Sequence, residues 1–178
     1  GASLGQSASV VWGQNQARAP FADLPVTASF EMMNFNILSH NQTPERVVEA
    51  ILARQPDVAL ILEAPGIADR LGELEGAYPY RIGCEEGEGC DLMLLSRTPF
   101  TERHIHQLPP LRHWRLIEAK TVIDGQSLTV VGLHLSKRDF GPIADMELWA
   151  IGRMLSRIEG PLIVSGDFNA APWSHVVG

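Results

Sequence analysis

Five polar residues of this sequence have side chains suited to phosphate chemistry, and each closely follows a run of apolar residues. If those runs are neighbouring strands, their C-terminal ends bring the five side chains to one rim of a sheet. A carboxylate such as that of Glu63 is a hard oxygen ligand suited to Mg²⁺ or Mn²⁺. The five residues are Asn36, Glu63, His134, Asp167 and Asn169.

The other four side chains supply hydrogen bonds and acid–base chemistry. The amides of Asn36 and Asn169 can donate hydrogen bonds to phosphoryl oxygens without adding charge. His134 can donate to the same oxygens or act as an acid or base, and Asp167 can orient or deprotonate a water molecule. With a metal that offsets the developing charge, these groups suit hydrolysis of a phosphoester by an activated water.

Each of these residues also has a purely structural interpretation. Asn36 suits a turn, a glutamate after a strand often caps the strand end, and His134 suits a core histidine with a satisfied hydrogen bond. The Gly-Asp-Phe-Asn run at 166–169 suits a turn by itself, because Asp and Asn bond their own backbone. The remaining histidines have no ligand spacing and are interpreted as surface or turn residues: His40, His104, His106, His113 and His175.

Apolar periodicity predicts strands interspersed with helices. Thr43-Pro44-Glu45 predicts a helix start, with Thr as N-cap, Pro in the first turn and an acid at the positive end of the dipole. The continuous apolar run Val58–Leu62 predicts a strand buried on both faces, and Asp124-Gly125 predicts a hairpin. Further strands are predicted at 30–37, 92–95, 103–108, 115–123, 128–135 and 162–164, and further helices at 67–74 and 143–158.

The order of these elements favours a mixed-sheet α/β or α+β fold with helices outside the sheets. The hairpin excludes a purely parallel doubly wound sheet. The length of 178 residues suits one domain. Residues 1–27 are rich in Gly, Ala, Ser and Gln and are interpreted as a leader or linker.

The charge balance limits the function classes. The chain has 21 acidic and 14 basic residues, a formal net charge of -7, and no strong basic patch. Proteins that bind nucleic acid through its phosphates usually carry a basic stripe, so the composition argues against tight non-specific binding of DNA or RNA by electrostatics alone. The charge balance is compatible with an acidic site that binds a divalent cation.

The two cysteines, Cys84 and Cys90, enclose the loop-like run Glu-Glu-Gly-Glu-Gly. They are too few for a disulfide scaffold, and two alternatives remain: one disulfide across the loop, or two free thiols. A structural disulfide would indicate an oxidising compartment.

Five motifs in order make the chain resemble the endonuclease/exonuclease/phosphatase superfamily, the deoxyribonuclease-I-like metal-dependent phosphoesterases. The Gly-Asp-Phe-Asn-Ala motif followed by Pro-Trp is the most specific, whereas any other motif alone is weak. The resemblance implies an α+β fold, a four-layer α/β-β/α sandwich of two mixed sheets flanked by helices. The motifs are Met33–Ile37, Pro56–Glu63, Leu94–Pro99, Gly132–Leu135 and Gly166–Ala170 with Pro172-Trp173.

The resemblance also implies a role for each site residue. Glu63 would bind Mg²⁺ or Mn²⁺, Asn36 would help to place the metal and the scissile phosphate, and His134 would hydrogen-bond the phosphoryl oxygens. Asp167 would position the attacking water, and Asn169 would stabilise the transition state. Asn41 matches an asparagine of the subgroup that reads Asn-x-x-x-x-Asn-x-x-Pro-Glu-Arg and would support the site.

One family motif is missing. The family ends with a Ser-Asp-His type motif that supplies an acid/base histidine, and His175 follows the Gly-Asp-Phe-Asn motif too closely to replace it. We therefore expect residues 28–178 to form a domain truncated before its last motif and incomplete at the C-terminus, with little turnover from this fragment. Its incomplete sheet edges would favour self-association.

These observations predict a divalent-metal-dependent hydrolase of phosphodiester or phosphomonoester bonds. The substrate would be a nucleic acid, or a phospholipid or sugar phosphate head group. The alternative is a degenerate member of the fold that binds a partner without catalysis. We expect an extracytoplasmic location, periplasmic or membrane-anchored, rather than the cytoplasm, because the subgroup often has that arrangement.

Overall fold

The computed structural model describes residues 10–13, 30–36, 44–84, 91–111, 113–135 and 141–167. In this part of the chain the strands form two sheets, with helices on their outer faces. The elements are β1 (Val10–Gly13), β2 (Met32–Asn36), α1 (Pro44–Arg54), β3 (Val58–Leu62), a 3₁₀ helix (Ala64–Glu73), β4 (Tyr80–Ile82), β5 (Leu92–Ser96), β6 (Phe100–Leu108), β7 (His113–Ile123), β8 (Gln126–His134), α2 (Pro142–Leu155) and β9 (Pro161–Asp167).

Both sheets are mixed, as the resemblance implied. The first sheet has the order β2-β3-β5-β4, in which only β2 and β3 run parallel. The second has the order β1-β9-β8-β7-β6, in which only β8 and β9 run parallel. The parallel pairs come from crossovers through α1 and α2, because parallel strands cannot be joined by a tight turn.

Three apolar layers hold the fold together. Val47, Val48 and Ile51 of α1 pack on the outer face of the first sheet. A second layer lies between the two sheets, and Ile151 of α2 anchors a third on the outer face of the second sheet. The structure therefore confirms the four-layer sandwich.

The two sheets approach each other closely at two points. A methyl group added at Gly132 of β8 would lie 2.5 Å from Leu60 Cδ1 of β3, so this position accepts only glycine without rearrangement. The amide Nδ2 of Asn34 donates a buried hydrogen bond to Ser165 Oγ over 3.0 Å. These contacts fix how the ends of β2 and β9 lie relative to each other.

Several local predictions are confirmed. The first helix begins at Pro44, and every residue of Val58–Leu62 is buried. Asp124 and Gly125 form the hairpin, with positive φ angles of 49° and 79° that match the twist of the flanking strands. Neither α1 nor α2 is long and apolar enough to cross a membrane.

Other predictions differ from the structure. The helix expected at 67–74 is a 3₁₀ helix from Ala64 to Glu73, because proline and glycine near its start and a further glycine disfavour a regular α-helix. The predicted leader contains β1, which pairs with β9. The remainder of residues 1–27 lies outside the described residues, so the boundary at 27 stays a prediction.

Cys84 is disulfide-bonded, with a left-handed backbone at φ 59°. Cys90 lies outside the described residues. The free-thiol alternative is therefore excluded for Cys84, whereas the pairing with Cys90 stays a prediction.

Candidate active site

One end of the sandwich gathers the ends of four strands and the start of a fifth. Asn36 at the end of β2 pairs in register with Leu62 at the end of β3, and Leu62 pairs with Leu92 at the start of β5. In the second sheet, His134 at the end of β8 pairs with Asp167 at the end of β9. This end is called the catalytic end below.

Glu63 leaves β3 in a left-handed conformation, with φ 58° and ψ 45°. Its backbone N–H donates to the carbonyl oxygen of Asp91 over 2.7 Å. A non-glycine residue in this region is uncommon, and such residues concentrate at functional sites. The half-buried carboxylate of Glu63 therefore leaves the sheet at a turn that the start of β5 holds in place.

His134 contacts Asp91 across the two sheets. Its side chain is nearly buried, at 8% exposure, and its Nδ1 lies 2.7 Å from Asp91 Oδ2. An ionised carboxylate can only accept a hydrogen bond. The proton therefore lies on Nδ1, which donates the hydrogen bond to Asp91. Nε2 is then the ring nitrogen that remains for chemistry.

Burial raises the pKa of Asp91, whereas the hydrogen bond from His134 and the positive charge of that ring lower it. Arg115 and His113 add smaller lowering effects, so the pKa lies below its ordinary value. Asp91 is therefore ionised at neutral pH. Its carboxylate holds the imidazole of His134 through Nδ1.

Arg115, near the start of β7, approaches the same carboxylate. Its Nε lies 3.9 Å from Asp91 Oδ2, longer than a hydrogen bond. The register of β7 with β8 pairs Leu116 with Leu133, so Arg115 lies across from His134. Asp91 thus lies near both the imidazole of His134 and the guanidinium of Arg115.

Gly166 positions the end of β9. Its φ is 151°, and an added Cβ would lie 1.9 Å from the carbonyl oxygen of Leu133, so no other residue fits without moving the backbone. The close approach of β9 to β8 brings the backbone of Asp167 beside His134.

The structure therefore places four of the predicted residues at the catalytic end, and these are Asn36, Glu63, His134 and Asp167. The side chains of Asn36 and Asp167 are not described. Asn41 and Asn169 lie outside the described residues, so their roles stay predictions.

Sequence reasoning missed Asp91 and Arg115. Asp91 precedes a predicted strand, and its position becomes informative only when β5 is known to run antiparallel to β3. Arg115 lies at the beginning of a strand for the same reason, since β7 runs antiparallel to β8. No local pattern distinguishes either residue from an ordinary charged strand end.

The donor set fits a magnesium ion. In the described part of the chain, no three His, Cys, Asp or Glu side chains form a group that could hold a metal ion. Mg²⁺ does not require such a cage, because it keeps several waters and binds through very few carboxylates together with substrate phosphate. The hard oxygens of Glu63 meet that requirement.

A groove of about 630 Å³ lies elsewhere, between α2 and the outer face of β6 and β7. Its lining includes Trp149, Arg153 and the His106–Glu118 pair, but no candidate residue of the catalytic end. Its size alone does not make it the site, because strand ends with convergent polar groups carry the chemistry in folds of this kind.

The model of the Endonuclease/Exonuclease/phosphatase family matches residues 33–177. No curated protein matches the chain. The match begins at β2 and extends past β9, so it includes every strand that reaches the catalytic end.

Three solved structures resemble the fold at low sequence identity. D. rerio TDP2 complexed with single-strand DNA product matches with a TM-score of 0.70 at 17% identity, covering 80% of this chain and 61% of that chain. Sphingomyelinase C from Streptomyces griseocarneus matches with a TM-score of 0.61 at 19% identity, and the match covers 78% of this chain and 64% of that chain. A mutant beta toxin from Staphylococcus aureus with bound magnesium ions matches with a TM-score of 0.61 at 16% identity, and the match covers 78% of this chain and 64% of that chain.

The chain spans less than two thirds of the length of each of these three structures. At such identities the likeness shows the fold, namely two packed mixed sheets with helices outside. The family match covers residues 33–177, well over half of the chain, and includes the strand ends of the catalytic end. The chain belongs to the Endonuclease/Exonuclease/phosphatase family.

Proposed function

We propose that this protein is a divalent-metal-dependent hydrolase that cleaves phosphoester bonds with an activated water molecule. The observation that carries the proposal is the 2.7 Å contact between His134 Nδ1 and Asp91 Oδ2, at the catalytic end that also holds Glu63. A histidine used only for packing does not need an ionised partner at the end of the sheets. Family membership supports the same reaction class.

His134 would act on the phosphoryl oxygens. With Nδ1 held by Asp91, Nε2 is the ring nitrogen left for the phosphoryl group, as an acceptor in the neutral ring and as a donor in the imidazolium. Donors aimed at developing negative charge lower the barrier most when they are fixed beforehand. Asp91 is therefore a positioning residue for His134.

Glu63 would hold Mg²⁺ or Mn²⁺, and the ion, when bound, supplies positive charge against the phosphoryl group. Asp167 would orient the attacking water. Asn36 and Asn169 would donate hydrogen bonds to phosphoryl oxygens, which adds stabilisation without charge. Asn41 would support these groups from outside the strand ends.

The substrate class is proposed from chemistry common to the relatives. One neighbour is described with a single-strand DNA product and another is a sphingomyelinase. Both substrate types contain a phosphodiester, so a phosphodiester is the first class to test, in nucleic acid or in a phospholipid head group. The net charge of -7 makes binding of nucleic acid dependent on specific contacts rather than on a general electrostatic field.

We also propose an extracytoplasmic location. The disulfide at Cys84 supports it, because structural disulfides persist in oxidising compartments. Trapping of free thiols in living cells tests this, since alkylation of Cys84 before lysis would place the protein in a reducing compartment.

The test measures hydrolysis of bis(p-nitrophenyl) phosphate by the natural protein with Mg²⁺, with Mn²⁺ and with EDTA. Glu63→Gln and His134→Ala should each lower kcat by about 10²- to 10⁴-fold. Glu102→Gln and His104→Ala are matched controls on the exposed strand β6 and should keep the wild-type rate. If the wild type hydrolyses no phosphoester class with either metal, catalysis is excluded. That result would favour the alternative, a degenerate member of the fold that binds a partner without catalysis.

A further inference from the structure

The start of β5 connects the two sheets at the catalytic end. The carbonyl oxygen of Asp91 accepts from the backbone N–H of Glu63 over 2.7 Å, and its carboxylate lies 2.7 Å from Nδ1 of His134. One residue therefore holds both the turn that carries Glu63 and the imidazole of the second sheet. A small shift of the backbone at Asp91 would weaken both contacts, because a hydrogen bond depends steeply on its geometry.

The end of β4 lies directly against this segment. The register of β4 with β5 pairs Ile82 with Leu94, so the chain that leaves β4 runs towards the beginning of β5. A methyl group added at Gly83 would collide with the carbonyl oxygen of Leu92, so the two backbones are in close contact there. Cys84 therefore leaves β4 beside the first residue of β5.

A disulfide lies at the same place. Cys84 is disulfide-bonded, and the chain contains one other cysteine, Cys90, which directly precedes Asp91 in the sequence. The left-handed backbone of Cys84, with φ 59°, is uncommon for a residue with a side chain and persists where the surroundings hold it. A bond between the two cysteines would tie the end of β4 to the residue before Asp91.

We propose that a disulfide between Cys84 and Cys90 positions the catalytic end, and that hydrolysis depends on its oxidised state. The bond holds the backbone at Asp91, and Asp91 in turn holds the ring of His134. A dithiol reductant opens the bond by two thiol–disulfide exchanges, which leave two protein thiols and an oxidised, cyclic reductant. The inference rests on the proposed function, because it assigns the disulfide a task in that reaction.

A disulfide that only stabilises the fold predicts different behaviour. Such a bond acts by restricting the unfolded chain, so its reduction would lower the melting temperature and leave the rate of the folded protein unchanged. A positioning role lowers kcat while the protein is still folded, and that loss depends on the side chain of Asp91.

The first experiment measures hydrolysis of bis(p-nitrophenyl) phosphate by the natural protein, oxidised and after reduction with dithiothreitol, well below both melting temperatures. Reduction should lower kcat by at least about tenfold, because a misplaced catalytic group is costly, and reoxidation should restore it. In Asp91→Ala, reduction should lower kcat by a smaller factor, since the contact through which the disulfide acts is already lost. Tyr78→Phe is the control for lost stability and should keep the wild-type rate.

The second experiment needs no turnover. The proton on Nδ1 of His134, which is bonded to Asp91, should give an imidazole N–H signal in nuclear magnetic resonance spectra. The loss of that signal in His134→Ala identifies it. Reduction of the disulfide should shift or broaden the signal, whereas Tyr78→Phe should leave it in place.

Four results would overturn the inference: peptide mapping that does not join Cys84 to Cys90, equal kcat of the folded oxidised and reduced proteins, an unchanged His134 signal after reduction, or an equal loss in wild type and Asp91→Ala. If reduction unfolds the protein, sucrose favours the folded state and permits the same comparison. A His134 signal that responds to reduction in a protein without hydrolytic activity would contradict the proposed function while supporting the positioning of His134 by the disulfide.

Discussion

The two ends of the first sheet use the same residue types in opposite ways. At the end where β2 and β3 begin, the carboxylate of Asp57 accepts from the backbone N–H of Glu31 over 2.8 Å. Arg54 donates twice to the Glu31 carboxylate, at 3.0 and 3.1 Å. The hydroxyl of Tyr78 donates to the Pro56 carbonyl over 2.7 Å.

At the catalytic end, where β2 and β3 finish, the described groups are charged or polar side chains gathered at one place, held by the backbone and by contacts between the two sheets. Glu63 adopts a left-handed backbone, and Asp91 orients His134 through one ring nitrogen only. Arg115 stays outside hydrogen-bond distance of the same carboxylate. A binding site needs side chains that can form hydrogen bonds with a ligand. The end of a sheet that has only a structural role is most stable when each donor bonds to a protein acceptor.

The comparison predicts that substitutions at the catalytic end cost activity more than stability. The largest expected effect is that of His134→Ala, which removes a donor to the phosphoryl group and should lower kcat by about 10²- to 10⁴-fold. Hydrolysis of a phosphodiester and thermal unfolding should be measured on the same samples. A melting temperature that falls in parallel with activity would show that His134 is needed for folding instead.

At the opposite end, Tyr78→Phe should cost stability and leave activity unchanged. It removes a buried hydrogen bond and leaves the Pro56 carbonyl without that donor, at a cost of about 1–2 kcal/mol. Urea unfolding at pH 7 measures the loss. Wild-type stability in the variant would mean that this end is less tightly held than its hydrogen bonds indicate.

The same residue predicts a pH dependence. Burial raises the pKa of Tyr78 to about 12, above its usual value near 10. Its contribution to stability is therefore fully present below pH 10 and is lost as the pH rises towards 12. Between pH 10 and pH 12, the free energy of unfolding should fall more steeply with rising pH for the wild type than for Tyr78→Phe.

Asp91→Asn should have an intermediate effect on stability, about 1 kcal/mol at neutral pH, because a neutral amide oxygen accepts the hydrogen bond from His134 less strongly than the ionised carboxylate does at this partly exposed position. The folded-state pKa of Asp91 is lowered, so its contribution is present above the unfolded value near pH 4 and is lost below it. In EDTA, the free energies of unfolding of the wild type and of Asp91→Asn should converge as the pH falls towards 2.

Arg54→Ala should have the smallest effect on the free energy of unfolding, because ion pairs at exposed positions contribute little to stability. The pair with Glu31 has good geometry, but the side chains are 65% and 38% exposed, so water and salt screen it. Denaturant midpoints at low and high salt test this. A loss of stability as large as that of Tyr78→Phe would mean that the pair stabilises the strand starts more than its exposure allows.

Local signals in the sequence predicted much of the framework. The helix start at Pro44, the buried strand β3 and the Asp124-Gly125 hairpin all depend on a few adjacent residues. The placement of Glu63 and His134 at strand ends follows from the same signals. The 3₁₀ helix was not predicted as such, because its apolar spacing resembles that of an α-helix over so short a length.

Residues whose position depends on strand direction could not be predicted. Asp91 and Arg115 each lie at or before the beginning of a strand, and a single sequence does not state whether that strand runs parallel or antiparallel to its neighbour. The antiparallel pairing of β5 with β3 and of β7 with β8 brings both to the catalytic end.

By itself, the sequence determined which residues could perform the chemistry and the class of fold that would carry them, because side-chain type and apolar periodicity are local properties. The tertiary structure decided which partners those residues have. Only the packing of the two sheets brings Asp91 to His134 and places Arg115 near the same carboxylate. Such contacts join positions far apart in the chain, and their free energy depends on burial and direction that no local pattern contains.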